Sequence, residues 1–209
     1  MREVPGGGAG RHCLGYVAAI GALILLTTAP LSASPVTKKL AKALAHLQET
    51  PSDTGVQRAY LAAFPKSFKN FSDIFGYDHI QEAENTYENS TNYIDALFQC
   101  GDALPTETLA LVAGIDRNGK WEADAIEGLQ YGTAALAERH PAEFGHQLEL
   151  MPAKDRRGVM RFLLDGPVPF KQAKTMSPIA GKLRSAGYDE LAAEFEAMVK
   201  ATAVRPAWH

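Results

Sequence analysis

The chain has 209 residues, with 21 Lys and Arg against 24 Asp and Glu, for a net charge of −3. That mild acidity argues against a nucleic-acid footprint, which needs clustered cations to neutralise phosphates. Hydrophobic residues make up 46% of the chain, enough for a real core, and with only two cysteines a disulfide scaffold is excluded.

Arg2 and Arg11 stand among glycines ahead of an apolar run over 14–26, and small residues follow through Ala29, Pro30, Ser32 and Ala33. This is the layout of a secretory signal peptide. The run is shorter than the roughly 20 residues that span a bilayer. We therefore expect a signal peptide over 1–33, cut after Ala33, and a periplasmic or secreted product with no membrane attachment after cleavage. The competing reading is an uncleaved anchor, with Thr27, Thr28 and Leu31 lengthening the span. Cleavage would remove Arg2, Arg11, Glu3 and Cys13, shift the net charge from −3 to −4 and leave Cys100 without an intramolecular partner.

Beyond the signal, helical periodicity dominates, and the expectation is a single all-α domain over 34–202 with a flexible tail over 203–209. Leu40, Leu44 and Leu47 open the pattern, which breaks at Thr50-Pro51-Ser52-Asp53, where Ser52 or Asp53 can cap the next helix. Tyr60, Leu61 and Phe64 follow. Phe64, Phe68, Phe71 and Phe75 then form a helical stripe that stops at Gly76. The spacing of Ile80, Ala83, Tyr87, Ser90, Ile94 and Leu97 predicts an amphipathic helix of about five turns. Pro105 starts a helix carrying Leu109, Val112 and Ile115, which ends in the turn Asp116-Arg117-Asn118-Gly119.

Trp121, Ala125, Leu129 and Leu136 line the next helix, where Gly128 and Gly132 suggest close packing that offsets their poor helix propensity. Phe144, Leu148 and Met151 form a short helix, then Val159, Phe162 and Leu163 another, with Val168-Pro169-Phe170 read as loop. Ile179 and Leu183 precede Gly187, and Leu191, Phe195 and Met198 follow it. The short connections imply antiparallel helical hairpins, packed as an irregular bundle or a short HEAT-like solenoid.

No motif specifies a reaction, and no cofactor is indicated. Asp116 through Glu127 places oxygen-bearing side chains as a calcium loop does, but Lys120 occupies a ligand position and Trp121 stands where the turn needs glycine. Asp53-Thr54-Gly55 lacks the strand context of an aspartic-protease triplet. His140, Glu143 and His146 do not reproduce a zinc-binding helix face, so no metal is expected. Lys154, Arg156, Arg157 and Arg161 read as a solvated helix face.

Aromatic and acidic residues remain as candidates for binding: Phe68, Phe71, Tyr77, Asp78, Trp121 and Asp124. The phenylalanine stripe belongs to the core unless part of it is exposed, with Lys66 and Lys69 on its rim. Phe64-Pro65-Lys66-Ser67-Phe68 leading to Phe75-Gly76-Tyr77-Asp78, Gly119-Lys120-Trp121-Glu122-Ala123-Asp124-Ala125 with Leu129-Gln130, and Phe162-Leu163-Leu164-Asp165-Gly166-Pro167 together resemble an uncharacterised family of small secreted helical bacterial proteins. The resemblance implies export and an all-helical fold and transfers no catalytic residue. Two functions are expected as alternatives. One is a non-catalytic protein-binding module of the inhibitor or immunity type. The other is a small enzyme whose site forms only in the fold, drawing on Asp124, Glu127, His79 or Tyr77.

Overall fold

The computed structural model describes residues 35–77 and 86–206. The segment expected to be a signal peptide, Asp78, His79 and Ile80, and the last residues of the tail lie outside the described residues. What is described is all-α, with no strand among the described residues.

Helix α1 (Pro35–Glu49) buries Leu40, Leu44 and Leu47 on one stripe. Helix α2 (Thr54–Ala63) is capped by Asp53, whose carboxylate accepts from the amides of Gly55 at 2.7 Å and Val56 at 3.2 Å. This explains the Asp-Thr-Gly triplet as a helix start. Ser67 caps α3 (Phe68–Phe75), accepting from the Asn70 amide.

The expected helix from Ile80 to Leu97 is not continuous. Its first part lies outside the described residues, Thr86 is non-helical, and a 3-10 turn at Tyr87–Asn89 leads into α4 (Ser90–Ala103). Polar residues of low helix propensity, Asn89 to Asn92, fill this segment. The 3.6-residue period is thus kept by Ser90, Ile94 and Leu97 alone, and α4 runs on through Gly101.

Helices α5 (Pro105–Asp116), α7 (Pro141–Leu150), α9 (Pro169–Met176) and α10 (Pro178–Ser185) all begin on proline, which lacks the amide that would be unpaired there. Between them lie α6 (Ala125–Arg139) and α8 (Ala153–Leu163), and α11 (Asp189–Ala203) closes the described chain. Helix α9 corrects the loop expected at 168–170. Its inward face carries Gln172 between Pro169 and Ala173, and the Gln172 amide donates to the Leu163 carbonyl at 2.7 Å. A polar residue on the buried face hid the period. Trp121 is likewise not on α6, which starts four positions later.

Successive helices pack in pairs, α1 on α2, α4 on α5 and α10 on α11, while α4 also lies against α6 and α5 against α7. That stacking has solenoid character. Helix α5, however, is surrounded by α2, α3, α4, α6, α7 and α8. A helix enclosed in this way belongs to a compact bundle, and it buries Leu109, Val112 and Ile115 together with Thr108 and Asp116.

Helices α4 and α6 meet through reciprocal glycines. A Cβ at Gly132 would lie 2.0 Å from the Phe98 ring, and one at Gly101 would lie 2.8 Å from Leu136. Gly128 has no such need, since its nearest neighbour, Ile94, would stand 3.6 Å away. Cys100 is buried on α4 beside this contact.

The aromatic core is continuous. Phe64 and Phe75 stack at 5.8 Å, Phe71 and Phe75 meet at 5.0 Å, and the Tyr60 hydroxyl donates to the Tyr93 carbonyl at 2.6 Å. Among the described residues, no helix is long and apolar enough to cross a membrane.

Candidate binding site around the loop between α5 and α6

Residues 117–124 join α5 to α6, and each end of this loop is fixed for a different reason. At its start, the Gly119 amide donates to the Asp116 carbonyl at 2.8 Å. A Cβ at Gly119 would stand 2.3 Å from the Phe162 ring, so only glycine lets the loop settle onto α8. In the middle, the Trp121 amide donates to the Asp165 carboxylate at 2.9 Å. Asp165 is held in turn by Gln130 of α6, whose side-chain amide donates to the Asp165 carbonyl at 2.8 Å and also to the Phe162 carbonyl.

At its end, Asp124 has φ 58° and ψ −105° and is the only described non-glycine residue with a positive φ. Side chains resist this region, and such strain persists only where the surroundings impose it. Here the Tyr87 hydroxyl donates to the Asp124 carboxylate, and the Asp124 carbonyl accepts from the Gly128 amide at 2.8 Å to start α6. Tyr87 meets Tyr77 edge-on at 5.4 Å, so the end of α3, the 3-10 turn and the loop converge.

Beneath the loop, Asp116 is fully buried, and neither of its carboxylate oxygens has a hydrogen-bond partner. Burial raises its pKa well above the usual carboxylate value, and neighbouring Thr133 offsets this only in part. Burial thus favours the neutral form of this carboxyl and keeps it from solvent, which opposes a role for Asp116 as an oxygen ligand of a calcium loop. No group of three His, Cys, Asp or Glu that could hold a metal ion occurs among the described residues.

Two clefts flank the loop, and Asn118 and Lys120 border both. The first, of about 440 Å³, runs along the start of α3 and includes Phe68, Lys69, Asp73 and Glu122. The second, of about 350 Å³, is walled by α8 and Arg205.

Tyr77 and Asp124 therefore share one cluster, Trp121 belongs to the same loop, and half-buried Phe68 lines the adjacent cleft. Phe71 is 0% exposed and is a core residue, so it offers nothing to a ligand. Asp78 lies outside the described residues. Lys69 borders the cleft as expected, while Lys66 folds back to donate to the Leu61 carbonyl at the end of α2. Tyr87 was missed because its place in the apparent helical period made it a core position.

The basic group on α8 divides in two. Arg156 and Arg157 pair with Glu194 of α11 at 3.0 and 3.4 Å, whereas Lys154 and Arg161, two turns apart, both line the second cleft. Compared with known protein families, curated proteins and solved structures, the chain matches none.

Proposed function

We propose that this chain is an exported, non-catalytic protein-binding module of the inhibitor or immunity type, and that the rim of the 117–124 loop is its recognition surface. The observation that carries the reading is the convergence at Asp124. A strained loop residue is held by Tyr87 next to Tyr77, which is 58% exposed, with Trp121 on the same loop and Phe68 in the adjoining cleft.

Aromatic anchors within a charged rim are the usual energetic centres of protein interfaces. A loop whose shape is already fixed also loses less conformational entropy when it docks. The apolar run over 14–26 supports export.

The test is capture from a bacterial envelope extract by the wild-type chain and by a Tyr77→Ala, Trp121→Ala double variant. A stoichiometric partner kept by the wild type and lost by the variant supports the reading. Absence of such a partner, or equal retention by the variant, overturns it.

A further inference from the structure

Most arginines on this surface have a carboxylate within reach. Arg58 pairs with Glu107 at 3.1 Å, Arg139 with Asp102 at 3.2 Å, Arg184 with Glu196 at 2.8 Å, and Arg156 and Arg157 with Glu194. Arg117 pairs with Asp155 at 3.6 Å. Among the described residues, the arginines without an ion pair are Arg161 and Arg205, and both line the cleft between the loop and α8, as do the unpaired Lys120 and Lys154.

These side chains come from the loop, both ends of α8 and the chain beyond α11, so the cluster is a product of tertiary packing. Both carboxylates in the cleft are already engaged, Asp155 by Arg117 and Asp165 by the Trp121 amide. In a chain of net charge −3, five cationic side chains thus face two carboxylates at one concave place.

The cleft is also built to a fixed shape. A Cβ at Gly158 would stand 2.0 Å from the Arg117 carbonyl oxygen, and one at Gly119 would stand 2.3 Å from the Phe162 ring. Both glycines line the cleft. Its walls are therefore set by the close approach of α8 to the loop, through backbone at Gly158 and through the Phe162 ring at Gly119. At about 350 Å³ it has the size of a small-ligand pocket.

We propose that this cleft binds a multiply charged oxyanion of the phosphate class, either free or as the phosphomonoester of a larger molecule. Arginine and lysine together suit that chemistry: the guanidinium grips two oxygens in a fixed plane, and the ammonium supplies a mobile point charge. A monocarboxylate would leave most of the charge unanswered. The site shares the 117–124 loop with the recognition surface at Asp124 but draws on different side chains.

The experiment uses the full chain, with calorimetric titration by orthophosphate and by tripolyphosphate at ionic strength held constant with chloride. Flotation follows, with phosphatidylcholine vesicles with and without phosphatidic acid. Saturable binding is expected, tighter for tripolyphosphate, and at least about tenfold weaker in an Arg161→Gln, Arg205→Gln double variant. An Arg156→Gln, Arg157→Gln variant is expected to bind as the wild type does. Binding of the free anions without flotation assigns a soluble ligand, and flotation that depends on phosphatidic acid assigns a headgroup; either supports the site. Lack of saturable binding to every probe, or binding that survives the Arg161, Arg205 substitution, overturns it. Circular dichroism of both variants checks that their fold is retained, Arg157, Arg161 and Arg205 being exposed and Arg156 half-buried. Loss of partner capture in the Tyr77, Trp121 variant leaves this titration unaffected, so the two proposals fail separately.

Discussion

The main-chain amide of Trp121 donates to the carboxylate of Asp165 at 2.9 Å, across 44 positions of sequence. This bond ties the centre of the α5–α6 loop to the segment between α8 and α9. The two clefts share the loop as a wall, so their shapes depend on it. Asp165→Ala removes a charged acceptor and leaves the amide unanswered, which costs about 1.5–3 kcal/mol. For a chain of this size the unfolding temperature should fall by about 3–12 °C. Asp165→Asn keeps an acceptor and should fall less. Thermal denaturation of the three proteins checks the order, and equal losses for Ala and Asn would show that the acceptor is not what matters.

Asp116 makes stability depend on pH in a defined direction. Its folded pKa is raised by burial, so as pH climbs past about 4 the unfolded chain loses this proton while the folded chain keeps it. The penalty is absent at lower pH and grows by about 1.4 kcal/mol per pH unit until the folded pKa is reached. Asp116→Asn does not titrate, and it should melt several degrees above wild type at pH 7 with the gap closing toward pH 4. Melting curves across that range decide the point. A gap that does not change with pH would show that burial leaves this carboxyl unperturbed.

Gly132 and Gly128 sit one turn apart on α6 and should respond oppositely to alanine. At either site alanine favours the helix by about 1 kcal/mol. At Gly132 the new methyl would meet the Phe98 ring at 2.0 Å, and overpacking of that kind costs about 1–3 kcal/mol. At Gly128 the nearest contact, 3.6 Å, is ordinary. Denaturant unfolding should therefore show Gly128→Ala more stable than wild type and Gly132→Ala less stable. The same sign at both positions would contradict the close approach of α4 and α6.

Asp124 offers a comparison between two replacements that both delete its carboxylate. Alanine keeps the strain of a positive φ, whereas glycine relieves it, a difference of about 1–3 kcal/mol. Each loses the Tyr87 hydrogen bond equally. Asp124→Gly should accordingly melt several degrees above Asp124→Ala, reversing the usual order of the two residues. If alanine proves the more stable, the backbone here is not strained.

The helical body was largely legible because apolar stripes such as Leu40, Leu44 and Leu47 and punctuation such as Asp53 and Pro105 are local signals, and the structure shows them in those roles. Helix α9 was not legible, since Gln172 finds its partner on another element and interrupts the stripe it belongs to. The phenylalanine stripe identified the core, with Phe71 and Phe75 at its centre, but periodicity could not say that Phe68 would sit at a cleft. The basic cleft was further out of reach. Lys154 and Arg161 fall on one face of α8, which spacing does reveal, but Arg117, Lys120 and Arg205 join them only through folding. A helical period reports which side of a helix is buried and carries no information on which distant side chains share a hollow.

Cys100 lies at 1% exposure, and burial pushes its thiol pKa up to about 11, so it is neither a thiolate at neutral pH nor within reach of a partner. The helical body therefore assembles by packing alone and carries no covalent trace of the compartment in which it matured. The same domain can be completed in glutathione-rich or oxidising surroundings. Protein made in a reducing host is chemically equivalent, at this residue, to protein folded outside it.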